Sequence, residues 1–146
     1  MSECRRGFKF LEHTADVYFE ARGKTLEEVF EEAARAMFSV ITDISRVEKK
    51  IKRRIEGEGI DLFNALYRWL EELLILHDAE GLVFSEFSVE YVRDEGEVVK
   101  FSGEALGEPF DEKKHERGTE VKAVTYSMME IGKDNGCWYA RVVLDI

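Results

Sequence analysis

The sequence predicts an α+β fold, a single domain in which two helices pack on one face of a largely antiparallel or mixed sheet. Two long segments carry helical apolar periodicity, and each is flanked by segments that alternate like strands. The last third of the chain is strand-like only, punctuated by turn signals. A single proline, Pro109, and the lack of any repeat or low-complexity tract leave no linker, so residues 1–146 read as one domain. A chain of 146 residues with 45% hydrophobic content is enough for one packed core and too short for two ordinary domains.

The elements follow in order. "FLEHTADVYFEA" at 10–21 reads as strand on both sides of a polar interruption at His13, Thr14 and Asp16. Next, "TLEEVFEEAARAMFSVIT" opens with Thr25 and Glu28 in capping-box spacing and places Leu26, Val29, Phe30, Ala33, Met37 and Ile41 on one helical face. In "RVEKKIKRRIEGEG", Val47, Ile51 and Ile55 fit either period, and Gly57, Gly59 and the β-branched residues favour strand. "DLFNALYRWLEELLILHDAEG" starts at an Asp61 cap and stops near Gly81, with an apolar arc through Leu62, Leu66, Trp69, Leu70, Leu73 and His77. The width of that arc predicts the central buried helix, with His77 as a helix-end residue. In "LVFSEFSVEYV" the apolar phase slips between Phe84 and Phe87, which predicts a bulge, and Asp94 to Gly96 turns the chain into "EVVKFSGEAL". A second hairpin joins "EVKAVTYSMMEI" to "CWYARVVLDI" through Asn135-Gly136.

Composition narrows function. A net charge of −10 repels nucleic acid unless basic residues segregate strongly. The one basic run, "KKIKRR" at 49–54, reads as a solvated strand face rather than an RNA-binding patch. The 36% charged content, without glutamine, is the bias of heat-adapted proteins. No stretch is apolar enough to span a membrane and the first residues lack a signal-peptide core, so a cytoplasmic protein is expected. In that compartment Cys4 and Cys137, which form no CxxC pair, are expected to be free thiols.

Two carboxylates stand out. On residue type alone, Asp16 is either an Asx-turn residue or part of a site held by a neighbouring strand. At the other end of the chain, alternation puts Trp138, Ala140, Val142 and Leu144 on one face and turns Asp145 away from the helices. With Ile146 read as the chain end, its α-carboxylate adds a second negative charge beside Asp145, an arrangement that attracts only with a cation between them. Catalysis by the chain itself is not expected, because GxxxxGK, GxSxG and HExxH are all missing.

Four strings in order, "EHTADV" at 12–17, "TLEEVFEEAARAMF" at 25–38, "EVKAVTYSM" at 120–128 and "VVLDI" at 142–146, resemble the archease family over almost the whole length. The resemblance implies a protein cofactor of the RtcB-type tRNA-splicing RNA ligase that promotes ligase guanylylation and turnover. The alternative it implies is a chaperone-like modulator of a tRNA cytosine methyltransferase. It also implies that Asp16 and Asp145 jointly hold a divalent metal. Oxygen donors suit calcium, magnesium or manganese better than zinc. His13 is expected at most to support that site from behind. Lys122 resembles a position tied to ligase activation, and Asp111 and His115, in the charged loop "GEPFDEKKHERG", match polar positions of the family. Ser127 departs from the histidine of the family pattern, so no role of that imidazole carries over.

Overall fold

The computed structural model describes residues 4–12 and 16–146. Along the chain run β1 (Gly7–Leu11), β2 (Val17–Gly23), α1 (Leu26–Ile41), a 3-10 turn (Ile44–Arg46), β3 (Ile51–Gly59), α2 (Leu62–Glu80), β4 (Leu82–Asp94), β5 (Val99–Pro109), β6 (Ala123–Val124), β7 (Glu130–Asp134) and β8 (Cys137–Asp145). The architecture is α+β with antiparallel pairing throughout, as expected, but the strands sort into two sheets. One has the order β1-β2-β8-β6, with β7 pairing the other end of β8 on the same edge as β6; the second is β3-β5-β4. Both helices touch strands of both sheets, and each sheet turns one face to them. One continuous core runs from Phe19, Ala140 and Val142 of the first sheet, through Phe30, Phe38, Leu66 and Trp69, to Phe84, Phe101 and Ala105 of the second.

The doubled sheet corrects which helix is central. Of the two helices α1 is the more enclosed, because Ala33, Ala34 and Ala36 let it approach the strands on either side, whereas one flank of α2 faces solvent. Helix boundaries follow the caps: Thr25 Oγ1 accepts the Glu28 N–H at 3.1 Å and Asp61 Oδ1 accepts the Asn64 N–H at 2.8 Å. Gly81, with φ +67°, ends α2 in the left-handed region that a side chain would strain. His77 is a helix-end residue, donating Nδ1–H to the Leu82 carbonyl at 2.8 Å and meeting Phe38 edge-on. The expected bulge in β4 lies between Phe84 and Glu86, and a second lies between Val89 and Tyr91. There α1 reaches the open edge of β4, where Glu31 and Glu27 accept the Val89 and Val92 N–H groups, each at 2.8 Å.

Two further expectations are corrected. Residues 120–131 are not one strand: Thr125 Oγ1 donates to the Val143 carbonyl and accepts the Ser127 N–H, Met128 adopts φ +54°, and the Tyr126 carbonyl accepts the Met129 N–H. These local bonds close a turn that separates β6 from β7. The cysteines are not free either: Cys4 and Cys137 form a disulfide with their Cα atoms 5.1 Å apart. The segment ahead of β1 reaches the start of β8, a juxtaposition that sequence spacing does not reveal.

Candidate functional site

In the first sheet, alternation assigns Phe19, Ala21, Ala140, Val142 and Leu144 to the helix side, and the partners on the outer face are mainly polar. Glu20 lies there at 1% exposure, accepting from Arg22 Nε at 2.8 Å and Arg141 Nε at 3.0 Å, with Lys9 Nζ 3.6 Å away. Burial pushes its carboxyl up, but the two arginine hydrogen bonds and the nearby charges outweigh that and hold it below the usual carboxylate range. Sequence reasoning missed this clamp; the signal was Glu20 between Tyr18 and Arg22 on one strand face.

The same face carries the expected carboxylates at its end. β2 and β8 pair up to Val17 opposite Leu144; Asp16 lies at a bend just before β2 and Asp145 ends β8, so both belong to this end of the sheet. Residues far apart in the sequence thus come to the same sheet end. Asp145 is exposed, Asp16 and Ile146 are half-buried, and the Asp145 carbonyl accepts the Lys122 N–H at 2.7 Å. Lys122 thereby sits at the same strand end, with β6 pairing Ala123 to Asp145. His13 lies outside the described residues.

Asp111 and His115 belong elsewhere. Past the end of β5, the Asp111 N–H donates to His115 Nδ1 at 2.9 Å, so Nε2 carries the proton that bonds Glu108 Oε2 at 3.0 Å. Glu108 also accepts from Lys114 Nζ and from the Glu48 N–H. Burial raises its carboxyl, but these donors override that and push it down to about 2. This knot fastens the 111–118 loop to β5 and to the segment before β3; it is separate from the paired aspartates. The basic run is likewise engaged, with Arg54 on Glu56 and Glu90, Arg53 on Glu80 and Lys49 on Glu86.

Among the described residues no group of three or more His, Cys, Asp or Glu side chains is arranged around a metal position. The donor chemistry of Asp16 and Asp145 nevertheless fits a hard divalent cation: two carboxylate side chains at one sheet end, Asp145 exposed and Asp16 half-buried.

Comparison with known proteins decides the lineage. A family model described as "Archease protein family (MTH1598/TM1083)" matches residues 8–146. The chain belongs to the archease family. It is 50% identical over 142 residues to the protein archease of Aeropyrum pernix, covering 96% of this chain and 97% of that one. The solution structure of Methanobacterium thermoautotrophicum protein 1598 superposes with a TM-score of 0.84 at 48% identity, over 96% of this chain and 99% of that one. A Thermotoga maritima crystal structure described as an archease, possible chaperone, shares the fold at a TM-score of 0.58 and 24% identity, over 94% of this chain and 96% of that one. No helix among the described residues of this archease is long and apolar enough to cross a membrane.

Proposed function

We propose that this archease is a non-catalytic activator of an RtcB-type tRNA-splicing ligase, promoting ligase guanylylation and multiple turnover, with a divalent cation held by Asp16 and Asp145. What supports the reading is the placement of Asp16, just before β2, and Asp145, exposed at the end of β8, at one end of the sheet. A cation held at this exposed sheet end would be open to a partner's active site. A bound calcium, magnesium or manganese ion would supply a positive centre able to take an oxygen ligand. The acidic net charge of −10 and the ion-paired basic run favour a protein partner over direct RNA binding.

The test is a ligation assay with the cognate ligase, manganese and GTP, run with and without substoichiometric chain. Accelerated multiple-turnover ligation is expected, while the chain alone leaves RNA and nucleotides untouched. Ligation that is unchanged across chain concentrations overturns the activator reading, and hydrolysis by the chain alone overturns the non-catalytic one.

A further inference from the structure

Most large apolar side chains of this protein are buried, which makes one exposed group conspicuous. Ile60 is 76% exposed, Phe63 39%, Tyr126 50% and Met128 55%. They form one patch. Phe63 and Tyr67 stand one turn apart on the solvent flank of α2, with Ile60 just ahead of the Asp61 cap, and the turn between β6 and β7 folds against this flank. The Tyr67 and Tyr126 rings stack with centroids 4.4 Å apart, and Asn64 Nδ2 donates to the Tyr126 hydroxyl at 2.7 Å. Asn64 Oδ1 in turn accepts the Ile60 N–H at 3.0 Å. The aromatic centre is therefore held in place before any partner arrives, which lowers the entropy lost on binding. The Tyr126 contacts fasten the turn to α2, and the exposed apolar area they leave around them is of the kind that marks an interaction surface.

Its position and border say what covers it. The patch adjoins the aspartate pair: Tyr126 follows Thr125, whose N–H and hydroxyl both bond the Val143 carbonyl, and Ala123 pairs with Asp145. Asp61 caps the helix beside Ile60, Glu71 bonds the Tyr67 hydroxyl and Arg68 donates to Asn64 Oδ1, while Glu130, after the turn, is ion-paired with Arg141. A second copy would bring its own Asp61 and Glu71 to the same interface, on a chain whose net charge is −10. A partner with an apolar centre and a basic rim fits instead. We infer that Ile60, Phe63, Tyr67, Tyr126 and Met128 form the docking surface for the ligase, seating it so that Asp16 and Asp145 face its active site; this rests on the activator reading above.

The test measures binding of purified chain to purified ligase by titration calorimetry, alongside the ligation assay. Phe63→Ala and Tyr126→Ala should each weaken the complex about tenfold or more, as truncation of an aromatic anchor does, without lowering the melting temperature below the folded range. Phe10→Ala, which truncates an exposed ring on the far edge strand β1, should bind like the wild type. Met128→Ala, in the turn, supplies a patch variant outside the helix should Phe63→Ala fail to fold. If the wild type binds and activates while the patch variants do so equally well, the surface assignment falls and the activator reading stands. If the wild type neither binds nor activates, both fall. Sedimentation that shows a wild-type dimer made monomeric by Tyr126→Ala would assign the patch to self-association instead.

Discussion

Breaking the Cys4–Cys137 disulfide should cost more stability than any other change that leaves the native contacts in place. The bond closes a sequence separation of 133 residues, nearly the whole chain. In the chain-entropy description a loop of that length removes about 5 kcal/mol of unfolded-state freedom at 25 °C, and measured losses in such cases run about 2–5 kcal/mol. The folded state should change little on reduction, because β1 stays paired with β2 and Arg6 remains bonded to Glu31 and Glu32. The effect therefore acts mainly on the unfolded chain. The assay is guanidinium denaturation of the oxidised chain, the reduced chain and Cys4→Ser, with thiols titrated after unfolding without reductant. Reduced protein and Cys4→Ser should lose about 3–5 kcal/mol and gain denaturant sensitivity, since their unfolded chains expand further. Unchanged midpoints, or two titratable thiols in the unreduced unfolded chain, would refute the reasoning.

Trp69 is fully buried against Phe87 and Phe101 and donates Nε1–H to the Phe30 carbonyl at 2.9 Å, so Trp69→Ala should lose roughly 3–5 kcal/mol, checked by denaturant titration. Trp69→Phe keeps most of the ring and should lose less. Calcium or manganese should raise the wild-type melting temperature, by the equivalent of about 2.7 kcal/mol at a hundredfold excess over the dissociation constant. Asp16→Ala and Asp145→Ala should keep the metal-free melting temperature but lose that shift and ligase activation; unfolding of either variant would point to a structural role instead. The Glu108 carboxyl is pushed down to about 2 from its ordinary 4.5, so its stabilising contribution is complete above the ordinary value and lost as pH falls towards 2. Melting curves across that window should fall less steeply for Glu108→Gln than for the wild type.

Much of this was legible because it is local. Thr25 and Asp61 cap the helices the sequence assigns to them, Gly81 ends the second, and Asn135-Gly136 turns the last hairpin, since each depends on a few neighbouring residues. The slip of apolar phase at Phe84 likewise marks a bulge within a single strand. Asp145 was readable as outward-facing because strand alternation has a fixed period.

What the sequence left open depends on residues far apart in the chain. The strands after Leu82 have the same alternating pattern whether they build one sheet or two, and only the separate docking of β4-β5-β3 and β1-β2-β8 onto α1 and α2 decides it. For the same reason α1 rather than α2 is the enclosed helix: periodicity measures the width of an apolar face, not how many layers press on it. The cysteine pair was misread by an argument from compartment, an argument to which intracellular proteins of heat-adapted organisms, whose charge bias this sequence resembles, are an exception. Glu20 could enter a sheet face because Arg22 and Arg141 arrive from its own strand and its neighbour. Backbone hydrogen bonding between β2 and β8 likewise sets their register, and that register places the residue before β2 and the last residue of β8 at one end of the sheet.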